Sequence, residues 1–326
     1  MKVLVLYNNP EDDAAVDEQD VLAQRDTVLA ALSKSGYQTQ SFGCTLDLDA
    51  VRRRVQEFAP DVVFNLVESL GGTDRLMPLA TLLLDALNVR YTGAHSGSIL
   101  ATSDKLTAKQ RFSSAELPTP AWVVPGNAID HGLVDPADIQ QNQWILKPVW
   151  EHASFSMDDD AVVSVEDAAH LESRLIAREK QFGRPFFAEQ FIAGREFNVS
   201  LLAGEVLPLA EIDFSSFPPA KPRIVGHQAK WDAESFEYQQ TPRRFDFAAT
   251  DAPLRKRVSE IARDCWKLFE MRGYARVDFR VDNSGQPWIL EVNANPCLSL
   301  DAGFSAALAQ AGIRYDEAIQ RIIDAS

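Results

Sequence analysis

A chain of 326 residues with 46% hydrophobic and 24% charged residues can bury a large core in two or three domains, and the composition is that of an ordinary soluble globular protein. Its formal charge of −15 excludes a general nucleic-acid binder, which would neutralise phosphates with Lys and Arg, but leaves room for a small anion served by local cations. Cys44, Cys265 and Cys297 are odd in number, far apart and without CxxC spacing, as expected of reduced thiols in a cytoplasmic protein. The opening MKVLVLYNNP reads as a first strand and not a signal peptide. The longest apolar region, Leu76 to Leu87, is broken by Asp85 and too short to span a bilayer.

In chain order, Lys2 to Tyr7 reads as a buried strand, Val21 to Ser35 as an amphipathic helix ended by Gly36, Tyr37 to Phe42 as a strand and Leu48 to Ala59 as a helix. Val62 to Val67 is a further strand, followed by the loop Glu68 to Thr73 and a helix through Leu87. This βα order predicts a parallel sheet covered by helices. Ligands meet such sheets at the carboxyl ends of the strands, which places Tyr7 to Glu18 and Glu68 to Asp74 near a pocket. The pair Gly71-Gly72 is read as a flexible turn. Ser103 is the candidate cap of a helix beginning Asp104-Lys105-Leu106.

Pro118, Pro120 and Pro125 punctuate a connecting stretch. QWILKP, Gln143 to Pro148, is an apolar strand carrying Lys147, a charge that needs a partner there. A polar loop follows from Glu151 to Asp160, then a short strand, a helix from Glu166 to Gln181 and a strand from Pro185 to Phe191 that bears Glu189. Glu196 to Leu202 and Val206 to Phe214 form a hairpin around Gly204. Ser215 to Asp232, rich in Pro and carrying Lys221, Arg223 and Lys230, has no period and is read as an ordered loop or lid. A helix from Ala252 to Met271 leads into a last hairpin, and two helices close the chain.

That hairpin, Gly273 to Pro296, alternates polar and apolar residues on both strands around Asn283-Ser284-Gly285. With Ser284-Gly285 as a two-residue loop, Asp278 lies opposite Glu291 and Arg276 opposite Asn293, all on one face. Facing carboxylates repel unless something positive sits between them, and two acids with an amide oxygen suit Mg²⁺. The alternative is an ordinary hairpin with one wet face. There is no GxxxxGK[ST], GxGxxG, HExxH or GxSxG, so the commoner phosphate cradles and hydrolase centres are not present.

The series DKL (Asp104 to Leu106), ILKP (Ile145 to Pro148), AEQF (Ala188 to Phe191), GREFNV (Gly194 to Val199), AKW (Ala229 to Trp231), ARVDF (Ala275 to Phe279) and LEVNANP (Leu290 to Pro296) resembles the ATP-grasp superfamily. Within it the match is to D-alanine–D-alanine ligases. It includes YTG at Tyr91 to Gly93, is most specific in the last two motifs and is weaker before residue 90. The resemblance implies an α/β and α+β architecture, an ATP-grasp fold with an N-terminal parallel-sheet (preATP-grasp) domain. It divides as 1–102, a central ATP-grasp subdomain 103–190, and a C-terminal subdomain 191–326 with the metal and catalytic residues.

The resemblance also implies the roles of single residues. Lys105 and Lys147 would contact ATP phosphates, Glu189, Gln190, Phe191 and Ile192 would line the adenine, Glu196 would bind the ribose, and Lys230 would reach the γ-phosphate. Asp278, Glu291 and Asn293 would hold two Mg²⁺ ions, with Mn²⁺ as a substitute, and Arg276 would stabilise an oxyanion. The reaction implied is ATP-dependent joining of a small carboxylate to an amine through an acylphosphate. Neither nucleic acid nor membrane is a partner, and a homodimer through the first domain is the implied assembly.

Departures from the family bear on the substrates. Those ligases have a HGxxGEDG-like loop, a serine and a tyrosine that orient the first substrate, and an SHSL-like stretch for the second substrate's carboxylate. Here the loop reads VESLGGTDR, Trp231 stands at the tyrosine position, Leu300 to Gly303 replaces the serine stretch, and the phosphate-covering EHASFS (Glu151 to Ser156) lacks glycine. Asp301 would repel a carboxylate. The expectation is a ligase whose machinery is kept and whose substrate pair is not two D-alanines. The alternatives are a true D-alanine–D-alanine ligase, a carboxylate–thiol ligase, and a Mg-ATP-binding module without catalysis, which would be expected to lose metal ligands. Cys297 is read as a packed thiol, since no histidine lies nearby in sequence to activate it.

Overall fold

The computed structural model describes residues 1–10, 16–126, 134 and 136–326. The expected pocket stretch after Tyr7 therefore falls partly outside the described residues, at 11–15. The first layer is built from β1 (Lys2–Asn8), α1 (Val16–Lys34), β2 (Gln38–Cys44), α2 (Leu48–Phe58), β3 (Val62–Leu66) and α3 (Pro78–Ala86). Its strands are parallel in the order β2-β1-β3. Val3 to Leu6 are fully buried, as befits a central strand covered on both faces. α2 starts where the Asp47 carboxylate accepts from the Ala50 amide at 3.1 Å, and its buried stripe Val51, Val55 and Phe58 recurs at helical spacing.

After α4 (Ser96–Ser103) comes α5 (Lys105–Ser114), and here the structure corrects the expected cap. Asp104 is the N-cap of α5, accepting from the Leu106 and Thr107 amides at 2.9 and 3.0 Å, whereas the Ser103 hydroxyl turns back to the Ile99 carbonyl. A carboxylate at this helix end satisfies two open amides and also meets the helix dipole, which a serine hydroxyl does only weakly. The second layer comprises β4 (Trp122–Val123), α6 (Pro136–Gln141), β5 (Gln143–Pro148), β6 (Val162–Ser164), α7 (Ala168–Phe182) and β7 (Phe186–Gln190). Its sheet is antiparallel in the order β4-β7-β5-β6.

The third layer holds β8 (Gly194–Leu202), β9 (Glu205–Val206), β10 (Ala210–Ile212), α8 (His227–Trp231), α9 (Phe236–Gln239), β11 (Arg243–Arg244), α10 (Ala252–Leu268), β12 (Tyr274–Asp282) and β13 (Pro287–Asn293). The sheet runs β11-β10-β8-β12-β13, with β9 beside β8. One face, with Phe197, Val199, Val277, Phe279, Ile289 and Val292, packs on Val258, Ile261 and Cys265 of α10. The alternate residues of the same strands, Glu196, Asn198, Arg276, Asp278, Glu291 and Asn293, therefore share the opposite face. β8 and β12 run so close at Gly194 (φ 146°) that a Cβ there would fall 2.0 Å from the Val281 carbonyl oxygen.

The turn between β12 and β13 differs from the expected two-residue loop. Asn283, Ser284 and Gly285 all lie in the loop, closed by the Gly285 amide on the Asp282 carbonyl at 2.9 Å and the Asp282 amide on the Gln286 carbonyl at 3.1 Å. The pairs near the turn, Arg280 with Trp288 and Phe279 with Ile289, are consequently one residue out of step. A bulge that leaves Leu290 unpaired then restores Asp278 opposite Glu291 and Arg276 opposite Asn293.

The chain ends in α11 (Gly303–Gln310) and α12 (Tyr315–Asp324), which return to the first layer. Phe304, Leu308, Ile319 and Ile322 pack with Val3, Val5, Val28 and Phe64. Among the described residues no helix is long and apolar enough to cross a membrane.

Candidate active site

All the sequence-predicted site residues, from Lys105 through Glu196 and Lys230 to Asn293, line one cavity of about 740 Å³. It lies over the polar face of the third sheet and is bounded by the second sheet, the 151–157 loop and the ends of β1 and β3. On its floor the Arg276 guanidinium forks onto Asp278, Nε to Oδ1 and NH2 to Oδ2, both at 2.8 Å. Asn198 of the adjacent strand donates to Asp278 Oδ1 at 2.8 Å, and the Asn293 amide donates to Asp278 at 3.0 Å and Glu291 at 3.3 Å. Burial would raise the Glu291 pKa, but Lys105, Lys230 and Arg276 outweigh it and hold the group well below the usual carboxylate range.

The opposed acids are thus balanced by a guanidinium and two lysines, where the sequence argument required a metal. The donor set still fits one. Among the described residues no three His, Cys, Asp or Glu side chains converge as a metal centre. Two carboxylates converge with the Asn293 amide, which shows them its NH2 and would turn its oxygen toward a metal; the three hard oxygen donors are too few to complete a coordination shell alone. That number suits Mg²⁺, which fills its remaining positions with water and the oxygens of a phosphate ligand.

The cations above the floor are secured in different ways. Lys105 is buried and its Nζ donates to the Glu151 carbonyl at 2.5 Å. Lys147 is ion-paired to Glu189, whose second oxygen meets Lys109 at 2.6 Å. Lys109 also donates to Thr119 and Pro120, and burial, partly offset by Glu189, pulls its pKa down to about 8. Lys230, on α8, has its pKa lowered by burial and by Arg276. Glu196, assigned to a ribose by resemblance, is paired with Arg280 at 3.0 Å.

The loop from Glu151 to Met157 carries its strain openly. Ala153, Ser154 and Ser156 have φ of 55°, 61° and 59°, the left-handed region that favours glycine. The loop is pinned where the His152 amide meets Asp74 at 2.6 Å, Trp231 Nε1 meets the Ala153 carbonyl at 3.0 Å and the Ser154 hydroxyl meets the Val225 carbonyl at 2.8 Å. Both ring nitrogens of His152 are shielded from solvent without a hydrogen-bond partner. Burial, then Lys105, pulls the His152 pKa down to about 3, so the imidazole is neutral.

At the strand ends of the first layer, Asp20 accepts from the Cys297 thiol at 3.1 Å and the Ser299 hydroxyl at 2.9 Å, while Gln24 bridges Asp20 and Glu68. Burial and the neighbouring Glu68 and Asp20 raise the Cys297 pKa well above its ordinary value, in keeping with a packed, unreactive thiol. Asn295 (φ 98°) takes the Ala94 amide at 3.0 Å, and a Cβ on Gly93 would fall 2.2 Å from its Oδ1. The tie holds the loop after β13 against the first layer.

The sequence reading missed Lys109, Asn198, Arg280, His152, Asp20 and Arg243. Asn198 had a signal, since it lies two residues from Glu196 on the same face, but only the pairing of β8 with β12 makes that face part of the site.

An acid and arginine hairpin facing lysines across a cleft between two antiparallel sheets, beside a small parallel sheet, defines an ATP-grasp enzyme. The family model "D-ala D-ala ligase C-terminus" matches residues 145–324. The D-alanine–D-alanine ligase of Methylococcus capsulatus is 30% identical over 100% of this chain and 96% of its own length. That of Moorella thermoacetica is 29% identical over 99% and 98%. The structure of the Bacillus anthracis D-alanine–D-alanine ligase complexed with ATP superposes with a TM-score of 0.75 at 21% identity, covering 100% of this chain and 97% of that one. The chain belongs to the D-alanine–D-alanine ligase family, ATP-dependent ligases that form a C–N bond. The reaction of that family uses ATP and a divalent metal.

Proposed function

We propose that the protein activates a small carboxylate as an acylphosphate and joins it to an amine, and that the two substrates are not both D-alanine. The carrying observation is the face on which Arg276, Asp278, Glu291 and Asn293 converge beneath Lys105 and Lys230. On this reading Lys105 and Lys147 neutralise the ATP phosphates, Glu189 to Ile192 border the adenine, and Glu196 takes the ribose. Lys230 offsets charge on the transferred phosphoryl group, and the unpartnered His152 ring donates to a phosphate oxygen. Asp278, Glu291 and Asn293 would hold Mg²⁺, two ions with Mn²⁺ as a substitute, and the metal supplies charge neutralisation that lets a carboxylate approach the γ-phosphorus. Arg276 would then stabilise the oxyanion formed when the amine attacks the acyl carbon, with phosphate leaving.

The substrate part of the reading is supported by Trp231, whose indole is spent on the Ala153 carbonyl, and by Leu300 to Gly303, which offers no serine hydroxyl. A second reading, D-alanyl-D-alanine synthesis, is favoured by the names of the full-length relatives. ADP release across a panel of amino acids, small acids and amines distinguishes the two. Turnover with D-alanine alone at low millimolar concentration favours the second reading. ADP formation that survives Asp278→Asn or Glu291→Gln is incompatible with the mechanism. We also read 1–102, 103–190 and 191–326 as the three units of the enzyme and a homodimer through the first as its assembly.

A further inference from the structure

Two consecutive arginines form the edge strand β11 and point to opposite sides. The guanidinium of Arg244 is matched by Asp213 at 3.3 Å and Asp246 at 3.2 Å. Arg243 is exposed at the rim of the cavity, and its hydrogen bond is to the Asp301 main-chain carbonyl at 3.0 Å. Among the described residues no carboxylate forms an ion pair with it. Its neighbours are Arg276, Asp301, Tyr238 and Cys297, with burial and Arg276 pulling its pKa down. A Cβ at Gly303 would come within 3.3 Å of its Nε, so the missing side chain at 303 leaves the guanidinium room against the start of α11.

The cavity therefore holds two guanidiniums at this end, of which one, Arg276, already has a carboxylate. A guanidinium at the rim of a substrate cavity that no carboxylate of the protein binds directly is a place for an anion of the ligand. On the roles proposed above, the phosphoryl group would lie with Lys105, Lys230 and the acids, which leaves the end of the cavity beside Arg243, Asp301 and Gly303 to the amine.

Resting on the ligase reading above, we propose that Arg243 is a specificity-determining residue of the amine subsite: its guanidinium receives an anionic group, a carboxylate, carried by the amine substrate. Arg243 thereby takes over at Leu300 to Gly303 the task that serine hydroxyls perform in the resembled ligases. The repulsion expected from Asp301 is offset by the arginine bound to its own backbone.

The test compares an accepted amino acid with its carboxamide as the amine substrate, in wild type, Arg243→Leu, Arg243→Lys and Gly303→Ala, by ADP release. Wild type is expected to prefer the acid by roughly ten- to hundredfold in kcat/KM, as for a hydrogen bond to a charged group. Arg243→Leu should lose that preference through a raised KM for the amine substrate while KM for ATP holds, and Arg243→Lys should keep part of it. Gly303→Ala should weaken it without changing any charge. Melting temperatures identify a variant that has failed to fold, in which case Arg243→Lys and Gly303→Ala decide. Turnover with an undiminished acid preference in the variants overturns the role of Arg243 alone. Absence of turnover by wild type with every acid and amine pair overturns the ligase reading and this inference with it.

Discussion

Arg276 and Asp278 stand two residues apart on β12, and the guanidinium closes on the carboxylate with two bonds of 2.8 Å. The residue proposed for the oxyanion is therefore also the countercharge of the residue proposed for the metal. Burial alone would depress the arginine, but Asp278 and Glu291 raise its pKa instead. A cation taken up by the acids would compete with Arg276 for Asp278, which would release the guanidinium for substrate when nucleotide and metal are present.

Arg276→Met should accordingly destabilise the protein in metal-free buffer by roughly 3 kcal/mol, the scale for leaving buried charges unpaired. Mg²⁺ added without nucleotide should raise the melting temperature of the variant more than that of wild type, because no guanidinium opposes the ion. Thermal melts with and without Mg²⁺ check this. Equal responses would remove Asp278 and Glu291 from consideration as metal ligands.

The buried triad Lys109, Glu189 and Lys147 gives a second test. Glu189 is 1% exposed, and its pKa is depressed because the two lysines outweigh a burial effect that acts the other way. Glu189→Gln strands two cations and should cost roughly 3–5 kcal/mol. Lys109→Met should cost less, since Lys147 remains on the carboxylate. The double variant should fall short of the sum by 1 kcal/mol or more, by the coupling expected of groups in one network. Urea denaturation measures all three.

The acid face of the last hairpin was legible because period-two alternation assigns faces without knowledge of the turn. The two-residue loop was the wrong loop, and the Leu290 bulge cancelled the error before Glu291. Lys147 announced a partner by sitting in an apolar strand, but Glu189 lies 42 residues further along and Lys109 comes from a helix. Nor could local pattern show that α11 and α12 cover the first sheet. Ser103 fits the spacing of a cap for a helix read as beginning at Asp104, and local pattern does not show that its hydroxyl turns back to the Ile99 carbonyl and leaves the cap to Asp104.

Ser156 combines two costs in one residue. Its φ is 59°, and its hydroxyl is buried without a partner. Ser156→Gly removes the left-handed strain and the unsatisfied oxygen, at the expense of greater freedom in the unfolded chain. The expected net effect is stabilisation by about 1 kcal/mol, read as a rise in the denaturation midpoint. Gly93→Ala is the contrasting case, since its Cβ would strike Asn295 and its φ is 83°. That variant should lose stability, with partial recovery on adding Asn295→Ala.

The pH dependence of stability follows from Glu68 and Asp74, both raised to about 7 in the fold, from 4.5 and 3.8. Burial is the principal cause in each case, with Asp20 beside Glu68 and Glu151 beside Asp74 adding to it. Between the ordinary carboxyl range and pH 7 the folded chain therefore holds protons that the unfolded chain has released. Their contribution is present in full at the lower pH and is lost as pH rises toward 7, where the fold must carry two poorly solvated charges. Stability measured from pH 5 to 8 should decline across this window. Glu68→Gln, which cannot ionise and can keep the hydrogen bond with Gln24, should flatten the decline and leave the part due to Asp74. A variant curve parallel to that of wild type would mean that Glu68 is ionised throughout.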